Sequence, residues 1–169
     1  VKYDESFNII DQGRVIEFDL IAGAITNNNF HSQQAFIWHV DDFIVTLDNA
    51  LNTNDANLNI LVKSMGLSTD LTVGKNAQEL LPYTVLNPDN SVRYEGIAVL
   101  SVGDFADGSQ SKLYMFETDR AELDISLAKV LDVGSTANHI SFQHENKIAV
   151  TANMSHEVYI INLLNYTIE

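Results

Sequence analysis

The feature of this sequence that most constrains its fold is a recurring unit of short apolar runs separated by polar turns. Strand-like segments that end in a polar turn and a new strand start begin at Val15, Leu58, Leu113 and Val158. A second type of run, rich in β-branched residues, precedes three of them and reads FIVTL, IAVLS and IAVTA. The unit repeats every 45 to 50 residues or so, roughly the period of β-propeller blades.

Antiparallel strands in repeating units of this size predict an all-β fold built from β-propeller blades. A four-stranded blade buries both faces against its neighbours, so its inner strands are apolar and its loops are polar. A β-sandwich is the competing fold, but it does not explain the repeat. We expect about four units in one propeller domain or partial propeller over residues 1–169. Their predicted boundaries are residues 1–27, 28–78, 79–127 and 128–169.

Two local features accompany this prediction. The best internal alignment places residues 35–49 over residues 140–154, which superposes His39 on His144. Helix signals are scarce, and residues 75–81 are the one stretch compatible with a single helical turn.

Residues 128–169 resemble the repeat of YVTN-type β-propellers. In that family an outer strand ends in Val-Gly, a later strand carries a Val-Thr-Asn-like sequence, and a further strand closes the repeat at an Asp-containing turn. Here residues 133–134 (VG), 150–153 (VTAN) and 158–162 (VYIIN) are similar to these elements, with Asn162 at the usual Asp position. The resemblance implies a propeller fold and leaves the function open.

A second resemblance concerns residues 31–49 (HSQQAFIWHVDDFIVTLDN), which are similar to the inner strands of periplasmic zinc-chaperone propellers. The His-rich loop and the Cys-Pro segment of that family are absent, and the chain contains no cysteine. This resemblance implies a periplasmic or secreted location and the binding or delivery of zinc.

The charge of the chain limits its partners. The formal net charge is −14, from 23 acidic and 9 basic residues. So acidic a chain repels phosphate backbones and anionic membrane surfaces, and we expect no nucleic-acid partner. No apolar run approaches the ~18 residues of a membrane span, so no membrane insertion is predicted. The lack of cysteine excludes disulfides and thiolate ligands, and it fits an exported, extracytoplasmic protein.

Histidines are the candidate metal ligands of this chain. His31 and His139 precede inner strands, and we predict that they bind a metal at one mouth of the central channel. Nearby carboxylates would complete a nitrogen and oxygen ligand set that suits Zn²⁺. His39 and His144, which follow inner strands, are interpreted as solvated rim residues.

No enzyme signature is present: the sequence has no G-x-S-x-G, H-E-x-x-H, P-loop or G-x-G-x-x-G motif. The leading interpretation is therefore a non-enzymatic extracytoplasmic binding propeller that takes a metal ion such as zinc. The alternatives are a structural or protein-interaction propeller without a metal, and a propeller enzyme with a site in its channel. Because open blade edges are unfavourable, we also expect a protein partner or a second copy to complete the propeller.

Overall fold

The computed structural model describes residues 2–3, 9–11, 14–18, 25–29, 34–48, 55–104 and 109–169. These residues form antiparallel β-strands joined by turns, and none of them is helical. Within the described ranges there is accordingly no helix of the length and hydropathy needed to span a membrane. The all-β class predicted from the sequence is confirmed.

The strands form two short pairs followed by three four-stranded sheets. The pairs are β1 (Lys2–Tyr3) with β2 (Ile9–Asp11), and β3 (Arg14–Phe18) with β4 (Ile25–Asn29). The first sheet contains β5 (Gln34–Val40), β6 (Phe43–Asp48), β7 (Asp55–Val62) and β8 (Leu67–Lys75). The second sheet contains β9 (Ala77–Leu86), β10 (Val92–Ser101), β11 (Lys112–Asp119) and β12 (Asp124–Asp132). The third sheet contains β13 (Ala137–Ile140), β14 (Lys147–Ala152), β15 (Glu157–Asn162) and β16 (Thr167–Ile168).

Each four-stranded sheet is a meander, because its spatial order follows the chain order. The same turn joins the third strand to the fourth in all three. Its last residue has a positive φ, which is 60° at Gly66, 53° at Leu123 and 53° at Tyr166. This left-handed residue lets the chain reverse within a few residues. About half of the predicted first unit, residues 1–27, lies outside the described residues.

The second sheet is buried on both faces. Along β10, Ile97 and Val99 pack against the first sheet, whereas Ala98 and Leu100 pack against the third. All four side chains are 0% exposed. Since side chains alternate between the faces of a strand, this pattern requires a hydrophobic core on each side. The sheets are therefore stacked face to face in chain order, and we call the face toward the following sheet the front face and the opposite one the back face.

The first strands of the three sheets lie next to one another, with β9 in contact with both β5 and β13. Pro82 is tolerated in β9 because this is an edge strand that need not donate every N–H. The Gln143 side-chain amide donates to the Thr84 carbonyl at 2.5 Å and accepts from its N–H at 2.8 Å. Asn146 likewise donates to Leu86 at 3.3 Å and accepts at 3.1 Å. Two side-chain amides of the third sheet thus pair with the edge of β9 as a strand would.

Linkers of one sequence pattern, which include the ends of the adjoining strands, join consecutive sheets. Residues 73–77 read VGKNA and residues 133–137 read VGSTA. Their glycines have φ of 78° and 70°, their fourth residues have φ of 53° and 54°, and their alanines are buried. This repeated sequence lies between consecutive sheets, so the pattern of apolar strand segments does not reveal it.

The helical turn considered at residues 75–81 is wrong, because these residues end β8 and begin β9. Pro82 interrupts the alternating pattern of β9 in the sequence. Its position at an edge, where no N–H is needed, explains why the strand forms despite it.

The predicted internal alignment is wrong by one residue. Val40 pairs with Phe43 across the first hairpin of the first sheet, and His144 pairs with Lys147 across the corresponding hairpin of the third. His144 therefore corresponds to Val40 and not to His39. Because strand side chains alternate, a one-residue shift moves every side chain to the opposite face of the sheet.

Candidate functional site

The structure describes one of the two predicted metal ligands. His139 lies in β13 with 59% of its side chain exposed, whereas His31 lies outside the described residues. Within the part of the chain that the structure describes, no group of three or more His, Cys, Asp or Glu side chains is arranged to hold a metal ion. A zinc site at His31 and His139 stays a prediction.

Glu79 orients His139 across the gap between the second and third sheets. Its Oε1 lies 3.0 Å from Nδ1 of His139, and its Oε2 accepts the Ile140 N–H at 2.5 Å. A carboxylate that engages Nδ1 fixes the imidazole ring and directs Nε2 away from itself, the arrangement common behind metal-binding histidines. Glu79 therefore links β9 to β13, and it positions the imidazole beside these first strands of the second and third sheets.

The histidines interpreted as rim residues are exposed, as expected. Nε2 of His39 lies 2.7 Å from Nζ of Lys63. His144 forms an isolated bridge with Lys147 at the start of β14. Both belong to hairpin ends, where local charge and backbone pairing account for their positions.

A groove of about 560 Å³ opens at the end of the second sheet, between β10, β11 and β12. Its charged lining residues are Arg93, Glu95, Glu117, Asp119, Arg120, Glu122 and Asp124. Carboxylates outnumber guanidinium groups, so the groove is acidic. Its lining includes neither histidine nor cysteine, and its chemistry suits recognition of a polar or positively charged group.

Arg120 connects this groove to the first sheet. Its Nη2 lies 2.6 Å from Glu95, and its Nη1 pairs with Asp41 in the turn between β5 and β6. Because Arg120 and Asp41 are exposed and Glu95 is partly exposed, the ion pairs add little stability and mainly set the position of the guanidinium group.

A tyrosine cluster lies beside the groove, between the second and third sheets. The Tyr83 hydroxyl lies 2.9 Å from the Phe116 carbonyl and 3.0 Å from the Tyr166 hydroxyl. Tyr166 donates to Oε1 of Glu117 at 2.7 Å, and Tyr94 donates to the Leu163 carbonyl. The cluster therefore links the buried core to a carboxylate of the groove.

Both central hydroxyls of the cluster resist ionisation. Burial raises the pKa of Tyr83 above its ordinary value. Burial, followed by hydrogen bonds to Tyr83 and Glu117, raises the pKa of Tyr166. The two hydroxyls stay protonated in neutral solution and act as donors.

Sequence reasoning missed this cluster, because its tyrosines are far apart in the chain and match no motif. One signal pointed to it. Gly96 lies inside β10, directly before its apolar run Ile97–Leu100, and a glycine inside a strand often marks a close approach of another group. A Cβ at Gly96 would collide with the Phe116 carbonyl oxygen and the Tyr83 hydroxyl.

No protein-family model, curated protein or solved structure matches this chain. The resemblance to YVTN-type propellers accordingly stays a prediction.

Proposed function

We propose that this chain is a non-enzymatic binding protein of the β-propeller type, in which the three four-stranded sheets are consecutive blades. The observation that carries the proposal is the burial of the second sheet on both faces, between sheets that precede and follow it in the chain. Propeller blades pack in this way, with their first strands around a common axis. The contacts of β9 with β5 and β13 agree with that arrangement.

A two-layer β-sandwich accounts less well for the same contacts. Each sheet of a sandwich buries one face and exposes the other, which gives strands with alternating apolar and polar residues. Ile97 to Leu100 of β10 are instead apolar and buried at every position. Burial on both faces of β10 requires a third sheet, and a propeller provides it because its blades repeat.

The ligand that we propose first is a metal ion such as zinc, bound in an extracytoplasmic compartment. The supporting observation is the contact of Glu79 with Nδ1 of His139, which leaves Nε2 directed away from the carboxylate, as in metal-binding histidines. The net charge of −14 attracts cations, and the lack of cysteine fits an exported protein. His31 is the proposed second ligand.

Calorimetric titration with zinc of the untagged protein tests this binding. We expect the parent to take up zinc, and the His139→Ala variant and the His31→Ala/His139→Ala double variant to bind at least about tenfold more weakly. His144→Ala is the matched control, because His144 is also exposed but belongs to a hairpin end. Equal affinity in all variants would remove both residues from the site.

A protein-interaction propeller without a metal is the second candidate. It is favoured by apolar side chains exposed on the third sheet and its loops, among them Phe142 at 89% and Val158 at 61%. If the parent protein takes up no zinc, the protein-interaction function is favoured over metal binding. The enzymatic alternative has no supporting observation among the described residues.

A further inference from the structure

We propose that the outer gap between the first and second sheets binds a partner polypeptide that carries a large apolar side chain beside a lysine or arginine. The gap forms a groove of about 270 Å³ between the β7–β8 turn and the start of β12. The inference uses only the packing of the first sheet on the second. It requires neither the metal nor a closed propeller.

The groove is lined mostly by apolar side chains of the two sheets. Those that are buried or partly buried are Ile60, Val62, Leu123 and Ile125. Met65 and Leu67 line it as well, but they are 58% and 59% exposed. Neighbouring large apolar side chains that stay exposed mark surfaces that another molecule covers.

The turn itself does not require these two apolar residues. The same turn joins the third strand to the fourth in all three sheets, so its positions can be compared around the left-handed residue. Met65 directly precedes this residue in the first sheet, and Leu67 directly follows it. The corresponding residues of the other two sheets are all polar: Glu122, Asp124, Asn165 and Thr167. The exposed apolar pair is therefore a property of this one gap.

The charge around the groove indicates a cationic partner. Among the described residues, Asp124 is the only charged residue that lines the groove, and it also lines the acidic groove at the end of the second sheet. Asp124 and its neighbour Glu122 are exposed, and neither forms an ion pair within the described ranges. A lysine or arginine next to the apolar anchor would pair with these carboxylates, whereas an acidic segment would be repelled.

The size of the groove favours a side chain as the bound group. Pockets for small molecules hold about 300–1,000 Å³, and this groove is smaller. It suits the one or two large side chains that anchor a protein interface. A second copy of this chain is a poor partner, because its net charge of −14 opposes self-association. A different polypeptide with adjacent apolar and basic residues fits both the lining and the charge.

Selection from a phage-displayed library of random peptides tests the proposal. The parent protein is the target, and peptides that also bind the Leu67→Ser variant are discarded. We expect the retained peptides to share a large apolar residue within a few positions of a lysine or arginine. The Leu67→Ser variant should fold, because Leu67 is exposed.

Methyl signals of the methionines locate the binding of these peptides. The chain has three methionines, which lie in different places: Met65 in the groove, Met115 in the core and Met154 in the β14–β15 turn. Synthetic copies of the retained peptides are titrated into protein with isotope-labelled methionine methyl groups. We expect the Met65 signal to shift while the other two stay unchanged. An unchanged Met115 signal also shows that each variant is folded.

Variants of the lining residues measure what each contributes to binding. We expect peptide affinity to fall at least about fivefold in Leu67→Ser and about threefold in Asp124→Asn. Ile37→Ser and Asp70→Asn are the matched controls, since both residues are exposed on the first sheet and neither lines the groove. Both controls should bind the peptides as the parent does.

Four results would overturn the proposal. The first is a selection that retains no peptide, and the second is a set of retained peptides without basic residues. The third is a peptide that shifts Met154 and leaves Met65 unchanged. The fourth is a parent dimer in sedimentation that Leu67→Ser dissociates and Ile37→Ser does not, which would assign the groove to a second copy. None of these results depends on zinc uptake, so they leave the proposed metal binding to its own titration.

Discussion

Gly74 lies against Tyr114, and a Cβ atom on this glycine would stand 2.7 Å from the tyrosine hydroxyl oxygen. The next linker repeats the relationship, because a Cβ on Gly134 would stand 2.6 Å from the Tyr159 hydroxyl oxygen. In both cases the tyrosine belongs to the third strand of the sheet that the linker enters. Two glycines in equivalent linkers therefore combine a left-handed backbone with a close tyrosine contact.

We expect Gly74→Ala and Gly134→Ala each to lower the free energy of unfolding by about 2–3 kcal/mol. About 1–2 kcal/mol comes from the left-handed φ, and the rest from displacing the tyrosine ring. Gly66→Ala is the matched control, since Gly66 has a φ of 60° but no atom within 4 Å of its Cβ position. Urea denaturation measures all three, and equal losses would show that the tyrosine contacts contribute nothing.

Gln143→Ala should destabilise the protein by about 1–3 kcal/mol, because it leaves the Thr84 N–H and carbonyl without partners. The loss should appear in urea denaturation with little change in the slope against denaturant. Gln78→Ala in the same strand is the control, since Gln78 is exposed, and its expected effect is below about 0.5 kcal/mol. Similar values for both variants would mean that the amide does not bind the third sheet to β9.

The fold class was predictable because the second strand of every sheet is a short apolar run. The strand that was missed, β9, reads AQELLPYTVL, and its alternation is interrupted by Pro82. The register was misjudged because matching His39 with His144 gave the better sequence alignment. Strand pairing across the hairpins, which sequence similarity does not encode, sets the true register.

The tyrosine cluster was not predictable for a different reason. Tyr83 and Tyr94 belong to the second sheet, whereas Tyr166 lies in the last turn of the third. They meet only because the two sheets stack, so no local pattern in the chain brings them together. Glu79 and His139 likewise come from first strands of different sheets, and only the position of His139 before an inner strand was visible in the sequence.

Stability should decline at alkaline pH because of Tyr83 and Tyr166. Both folded pKa values are raised above the ordinary tyrosine value of about 10. The unfolded chain therefore loses these protons first, so their contribution is full below about pH 10 and falls as pH rises toward the folded pKa values.

Urea denaturation between about pH 8 and pH 11.5 measures this decline, which a Tyr83→Phe/Tyr166→Phe variant should reduce. The variant removes both hydroxyls and leaves the other tyrosines in place. An equally steep loss of stability in the parent and in the variant would show that other groups cause the alkaline sensitivity.

Glu79→Ala should lower the free energy of unfolding by about 1–2 kcal/mol, because the Ile140 N–H and the His139 ring both lose their partner. Glu122→Ala is the control, since Glu122 is an exposed carboxylate in the turn before β12. Thermal unfolding compares the two variants. A loss no larger than that of the control would show that Glu79 does not hold the second and third sheets together.

The central claim is that the sheets fan out from adjacent first strands, as blades do. Because the chain has no cysteine, spin labels can be placed at exposed cysteine pairs without altering native residues elsewhere. One pair replaces Ile37 and Gln78 on the first strands β5 and β9, and the other replaces Asp70 and Leu127 on the outer strands β8 and β12. Ile37, Asp70 and Leu127 point from back faces, and Gln78 is exposed at the bulge near the start of β9, so the two distances compare the inner and outer gaps between the same two sheets.

Pulsed electron–electron dipolar spectroscopy on these two doubly labelled variants is the most direct test. The account predicts a clearly longer distance for the outer pair than for the inner pair, whose strands belong to sheets packed about 10 Å apart. Equal distances at the inner and outer strands would mean that the first two sheets are stacked in parallel layers, and they would contradict the propeller.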